Sequence, residues 1–228
     1  MLVSNGCTAC GRPGDRLCHR CRFSLASVGP TCSSSGVEAA FPFEGVARDL
    51  IIALKFRHRR ACAGVLAAQM VRRLRLGHVD VVTWAPTSAR RVRRRGYDQA
   101  EAIARAVARQ LGVPCRRLLY RAHNAPQTGK SRVERLVGPS FRARRPRSGL
   151  AVLVVDDVVT TGATLRAAGE ALRAAGVMRV ELAAASSAQL RQSTTGAAVP
   201  RSAPRSPVGF PPAWASSIAS SEPVKAKS

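Results

Sequence analysis

The sequence has no apolar run long enough to cross a bilayer. Its first residues, Met1-Leu-Val-Ser-Asn-Gly6, lack the charged start and apolar stretch of a secretion signal. A membrane-spanning or exported protein is therefore not expected, and a cytoplasmic location is. Lysine is almost missing. Lys55, Lys130, Lys225 and Lys227 are the only four, so 33 of the 37 basic residues are arginine. Acidic residues number 13, which leaves a formal net charge of +24. A charge of that size ordinarily points to nucleic acid or another polyanion. The preference for arginine, in a chain also rich in alanine, is what a GC-rich coding sequence produces, so the charge is discounted as evidence of a partner. No internal repeat is present, and 228 residues suffice for one good-sized domain with additions.

Seven cysteines in a reducing compartment argue against a disulfide framework and for metal binding. Cys7-x-x-Cys10 and Cys18-x-x-Cys21 form two knuckles, with Gly6, Gly11 and Gly14 nearby to allow tight turns. Two such pairs can set four thiolates around one Zn²⁺. Four thiolates leave no open coordination position, so the zinc is expected to be structural and to stabilise a segment with few apolar residues. His19 inside the second knuckle reads as an exposed bystander. Cys32 is followed by Ser35 where a third Cys-x-x-Cys would need sulfur. Cys62 and Cys115 read as small buried residues.

The chain is organised around residues 152–165, Val-Leu-Val-Val-Asp156-Asp157-Val-Val-Thr160-Thr161-Gly162-Ala163-Thr164-Leu165. Four aliphatic residues without alternation predict a buried strand of a parallel sheet that ends at the two carboxylates. A small, hydroxyl-rich loop then leads into a helix from Leu165. In open α/β sheets ligands bind beyond the carboxyl ends of the strands, where a helix N-terminus offers unpaired N–H groups and a positive dipole end. A phosphate fits such a place. Thr160, Thr161 and Thr164 add hydroxyls, Gly162 keeps the backbone open, and Ala163 completes the loop. Asp156 and Asp157 suit the hydroxyls of a sugar carrying that phosphate, or a divalent cation. The plainer reading has two Asp opening a turn and Thr161 capping the helix. The ordered string of strand, acidic pair, loop and helix is more specific than that.

Upstream, Val46, Leu50, Ile51 and Leu54 recur at helical spacing, and the cations from Lys55 to Arg60 suit the helix C-terminal end. A second helix is predicted over 64–74 and a buried strand over 79–85. That strand exits into Pro86-Thr87-Ser88-Ala89-Arg90, followed by Arg91-Val-Arg93-Arg94-Arg95-Gly96-Tyr97-Asp98-Gln99 and a helix over 100–111. Thr87, Ser88, Arg94, Arg95 and Gln99 are the candidates for holding a pyrophosphate group at this edge. A solvated basic face explains the arginines equally well. Gly129-Lys130-Ser131, with Val-Leu-Val-Val-Asp-Asp later, imitates the Walker elements of a P-loop NTPase. Asn124 stands where the first Walker glycine belongs and Pro126 sits within the turn. An NTPase using Lys130 is thus the second reading, behind a cationic lid that includes Lys130 and Arg135. Residues 180–185 read as a further strand, and the Ser, Ala and Pro that follow as a disordered tail.

The order of these features resembles the ComF family of phosphoribosyltransferase-like proteins. The resemblance rests on the cysteine knuckles, on Leu54-Lys55-Phe56-Arg57, on Arg95-Gly96-Tyr97-Asp98-Gln99 and on the stretch from Val152 to Leu165, with Asp98 in place of the family's usual Asn. It implies an α/β fold: a parallel-sheet type I phosphoribosyltransferase-like domain over 37–188, a zinc-ribbon-like module over 1–36 and a disordered tail over 189–228. It also implies a Mg²⁺-dependent site for phosphoribosyl pyrophosphate (PRPP). Asp156 and Asp157 would serve catalysis and residues 160–164 would bind phosphate. Family association with DNA uptake makes nucleic acid or a DNA-uptake helicase the expected macromolecular partner. A third reading treats the fold as a non-catalytic nucleic-acid-binding module.

Overall fold

In the computed structural model, which describes residues 6–122, 139–144 and 149–188, the chain begins with α1 (His19–Ala26), β1 (Thr31–Cys32) and β2 (Glu38–Pro42). It continues through α2 (Gly45–Phe56), α3 (Ala61–Arg73), β3 (Val81–Trp84), α4 (Ala89–Arg95) and α5 (Gln99–Leu111). The remaining elements are β4 (Leu119–Arg121), β5 (Phe141–Ala143), β6 (Ala151–Val159), α6 (Ala163–Ala174) and β7 (Arg179–Ser187). Five strands form one sheet in the order β1-β2-β7-β6-β3, and only the β1–β2 pair in it is antiparallel. β4 and β5 make a separate antiparallel pair.

The apolar run at the centre of the sequence lacks alternation because β6 is covered on both faces. Val152 and Val154 pack with Leu165, Ala168 and Leu172 of α6. Leu153 and Val155 lie in the opposite core with Leu50 and Leu54 of α2, Leu66 and Met70 of α3, and Ile103 of α5. A strand without a solvated face has no place for a polar alternate. Each fully buried leucine contributes on the order of 1.5–3 kcal/mol, so α6 and the α2–α3–α5 layer are held to the sheet mainly by this burial. The result is the mostly parallel sheet with helices on both sides that the pattern predicts.

Two elements depart from the sequence expectation. β6 continues to Val159, so the acidic pair sits inside the strand rather than at its end. Pairing with β7 carries the extension, through Asp156↔Ala184, Val158↔Ser186 and Val159↔Ser187. β3 stops at Trp84, opposite Val155. From Asp156 onward β6 therefore has a paired strand on one edge only, and the other edge is open. The arginine run forms α4, for which no helix was expected. Ser88 Oγ accepts from Arg91 N at its start and Gly96, at φ 75°, stops it. α4 buries no residue, so its basic side chains all lie outside the core.

The cysteine segment is built onto this domain. Cys7, Ala9, Cys21 and Leu25 belong to the same core as α2 and α3. Arg59, in the turn between those helices, donates to the carbonyls of Cys7 and Thr8 at 3.2 and 3.4 Å. Residues Met1–Arg191 make up one compact unit. Among the described residues, no helix is long and apolar enough to cross a membrane. The tail expected over 189–228 lies outside the described residues.

Candidate functional site

β6 hands over to α6 through Thr160, Thr161 and Gly162, and this junction surrounds a cup of about 40 Å³ lined by Asp156, Val158, Val159 and residues 160–165. At roughly 10–15 Å³ per water-sized sphere, the cup has room for a group of a few heavy atoms. No side chain caps α6, whose N-cap residue is Gly162. Its first N–H groups and its positive dipole end therefore have no N-cap side chain in front of them. Thr161 Oγ1 accepts from Ala163 N at 3.4 Å, a long contact that leaves most of the helix start free. Gly162 answers a different demand from the one read in the sequence. Its φ is +77°, and a Cβ there would collide with Ser35 Oγ in the β1–β2 turn. The glycine admits a neighbouring turn as well as opening the backbone.

Asp156 and Asp157 diverge, as successive strand residues do. Asp156 lines the cup, and its Oδ1 accepts from Asp157 N at 2.7 Å. Asp157 turns toward α2, where its Oδ1 meets Lys55 Nζ at 2.9 Å, with side-chain exposures of 14% and 18%. Lys55 thus neutralises one of two adjacent carboxylates. Burial, reinforced by the Asp157 charge, pushes the Asp156 carboxyl well above the usual carboxylate range. A carboxyl whose folded value is raised binds more protons folded than unfolded between the two values, so stability falls as pH rises through that window. We expect thermal melts of the wild type to lose stability as pH climbs above about 4, the ordinary carboxylate value, and Asp156→Asn to flatten that decline. Parallel pH profiles for the two proteins would remove Asp156 as the cause.

The pyrophosphate-side candidates fall into two groups. Arg95 Nη1 donates to Gln99 Oε1 at 2.8 Å, and the Arg95 guanidinium lies over the Phe56 ring at 5.0 Å. Gln99 is 1% exposed, so its amide orients Arg95 from within the protein. Arg95 Nε is buried with no hydrogen-bond partner in the protein. Burial lowers the Arg95 pKa, and the Asp157 carboxylate opposes that shift. Thr87 N is occupied by Asp98 Oδ2 at 2.8 Å, and Ser88 caps α4. Arg94 is exposed on α4. The structure therefore joins Arg95, Gln99, Lys55 and Asp157 around the open edge of β6, and leaves Arg94 at the surface.

Beside the turn from α2 to α3, the Sγ atoms of Cys7, Cys10, Cys18 and Cys21 all lie within 4.8 Å of one another. Cys10 and Cys18 Sγ are 3.7 Å apart, close to the ~3.8 Å between two sulfurs on one tetrahedral ion with Zn–S bonds of about 2.3 Å. Cys18 N points at Cys7 Sγ at 3.4 Å. Burial works against the Cys7 thiolate, yet backbone N–H groups of Cys10, Cys18 and Ala9 bring its pKa down to about 6. Cys21 is pushed up by burial and by its three sulfur neighbours. The four crowded sulfurs fit Zn²⁺ on distance and donor chemistry.

A family model described as the phosphoribosyl transferase domain matches residues 98–194. The chain is 25% identical over 178 residues to the competence protein ComFC of Bacillus subtilis (strain 168), covering 75% of this chain and 72% of that protein. Together with the cysteine cluster, these matches support a ComF-family phosphoribosyltransferase-like protein. A further ComF-like relative is the DNA utilization protein YhgH of Salmonella typhi, 28% identical over 144 residues; the match covers 58% of this chain and 63% of that protein. Among solved structures, glutamine PRPP amidotransferase from B. subtilis matches at 25% identity and a TM-score of 0.38. That match covers 56% of this ComF-family chain and only 26% of the enzyme, a likeness too loose to assign a function.

Two residues of this ComF-family chain reach the site without having been assigned a role from sequence. Lys55 belongs to the Leu54-Lys55-Phe56-Arg57 stretch, and its signal was its rarity, as one of four lysines in a chain that otherwise uses arginine. Asp98 is 8% exposed and accepts from both Thr87 N and Ala100 N. Burial raises its pKa, and backbone hydrogen bonds from Thr87, Glu101 and Ala100 oppose that shift. Lys130 and Arg135, and with them the Walker-like Gly129-Lys130-Ser131, lie outside the described residues.

Proposed function

We propose that this ComF-family protein binds PRPP with Mg²⁺ and transfers its ribose 5-phosphate unit to an acceptor nucleophile. The observation that carries this reading is the uncapped start of α6 opening on a cup whose next wall is Asp156, with Asp157 one residue further on. The 5-phosphate would occupy the cup against residues 160–164, and Asp156 and Asp157 would take the ribose hydroxyls. Thr87, Ser88, Arg94, Arg95 and Gln99 form the proposed pyrophosphate side. The orphaned Arg95 Nε supports an anion there. Lys130 and Arg135 are proposed as the lid.

In the reaction the bond from the anomeric carbon to the pyrophosphate oxygen breaks, a bond from that carbon to the nucleophile forms, and the nucleophile gives up its proton to solvent. Positive charge grows on the sugar and negative charge on the leaving group, so groups fixed in place before the reaction supply most of the stabilisation. Mg²⁺, when bound with PRPP, adds charge neutralisation at the pyrophosphate. The relatives' names, a competence protein and a DNA utilization protein, support a role linked to DNA uptake; a part in nucleotide metabolism and a cytoplasmic location belong to the same proposal. Calorimetric titration of the full chain with PRPP and MgCl₂ tests the reading. A saturable heat at one site is expected, and the absence of any heat at millimolar PRPP would overturn it.

A further inference from the structure

A second cavity lies apart from the cup at α6. It measures about 710 Å³, lies beside the turn from α4 to α5, and shares no lining residue with the cup. Its size falls within the roughly 300–1,000 Å³ of small-molecule sites. Five arginines from four separate segments converge on it: Arg60, Arg93, Arg105, Arg117 and Arg121. Only two carboxylates line it, and both are committed. Asp98 accepts from the backbone of Thr87 and Ala100, and Glu101 holds Arg105 at 2.7 Å. Among the described residues, no carboxylate pairs with the other four guanidinium groups. Convergent like charges around a cavity stabilise an anion that brings several acceptor oxygens at once.

Two of these arginines also form flat surfaces. Arg60 lies over the Tyr97 ring at 4.8 Å, and Arg117 lies over the Tyr120 ring at 4.8 Å. A guanidinium backed by an aromatic ring is a planar, weakly hydrated platform on which a nucleobase stacks. Tyr120 is itself 40% exposed, so its ring is accessible to a ligand. Planar platforms together with unneutralised guanidinium groups select a ligand that is planar at one end and phosphorylated at the other.

We propose that this pocket binds a nucleoside monophosphate, at a site separate from the cradle at α6. Its base rests on the Arg60–Tyr97 or Arg117–Tyr120 platform and its phosphate is met by Arg93 and Arg121. Thr87, one of the proposed pyrophosphate-side residues, borders the pocket, so an occupant here sits next to that reaction without using its phosphate cup. The site follows from its own residues and does not depend on PRPP being the ligand of the cradle.

The test is calorimetric titration of the full chain with AMP and with UMP, alongside inorganic phosphate and a dT oligonucleotide. Arg93 and Arg117 are both exposed, so Arg93→Gln/Arg117→Gln is expected to fold as the wild type does. We expect AMP or UMP to bind, and each lost arginine to weaken that binding about tenfold, the worth of one charge-assisted hydrogen bond. Asp157→Ala should leave nucleotide binding unchanged, and the arginine variant should keep its response to PRPP. The proposal is overturned by silence from both nucleotides, by binding that ignores the arginines, or by binding that disappears with Asp157. Inorganic phosphate binding as tightly as the nucleotides, or the oligonucleotide binding alone, would overturn it equally.

Discussion

Asp157→Ala should lower the affinity for PRPP by about a hundredfold, the loss expected when two charge-assisted hydrogen bonds to ribose hydroxyls disappear together. The substitution also strands the Lys55 ammonium, which sits 2.9 Å from the carboxylate at 18% exposure. Losing the partner of a largely buried charge costs on the order of 1–3 kcal/mol of stability, so a melt must accompany the titration. Lys55→Met separates the two effects. It frees Asp157 from its ion pair, and because that carboxylate then lies beside Asp156 with only the Arg95 guanidinium as a counter-charge, it should destabilise the pair in the absence of ligand. The double variant completes a cycle whose coupling energy reports how much of Lys55's effect passes through Asp157. A PRPP affinity that does not change in Asp157→Ala, in a protein shown to be folded, would sink the assignment of the acidic pair to the ribose.

Removing the metal expected at the four cysteines should have the larger effect on the fold. Structural zinc contributes on the order of 10 kcal/mol to small domains, comparable to the whole stability of an ordinary one. Here the loss would spread, because Cys7, Ala9, Cys21 and Leu25 pack into the core of α2 and α3. Arg59 would also lose the ordered Cys7 and Thr8 carbonyls it binds. We expect the purified chain to carry one zinc, and a strong chelator or Cys18→Ser to lower the melting temperature by more than about 10 °C. Cys62→Ser is the control. Cys62 is buried beneath the cluster with its Sγ 3.8 Å from Thr8 O, and it should not alter the zinc content. Zinc-free protein that melts at the same temperature with and without chelator would exclude a structural metal.

How far the site could be read from the chain depends on how local each feature is. The strand, loop and helix from Ala151 onward were legible because every signal lies within a few residues of the next: β-branched residues, two carboxylates, small hydroxyl residues, then helix formers. The cysteine cluster was legible for the same reason, since two short spacings set the geometry of four sulfurs. The end of β6 was not, because it depends on β7 reaching Ser187 while β3 stops at Trp84. Nor was the helix in the arginine run. Its boundaries come from Ser88 and Gly96, which a run of five cations in seven residues obscured.

Taken alone, the sequence determined the class of the fold, the cysteine cluster and the order of strand, acidic pair, small loop and helix. These follow from covalent spacing, backbone periodicity and the burial of apolar residues, all of which act over short stretches of chain. Tertiary structure decided the rest: that Lys55 faces Asp157 across 102 residues of chain, that Ser35 demands a glycine at position 162, and that arginines from four segments share one cavity. Electrostatic and steric partners are chosen by distance in space. The packing of helices on both faces of the sheet sets that distance, and no local pattern encodes it.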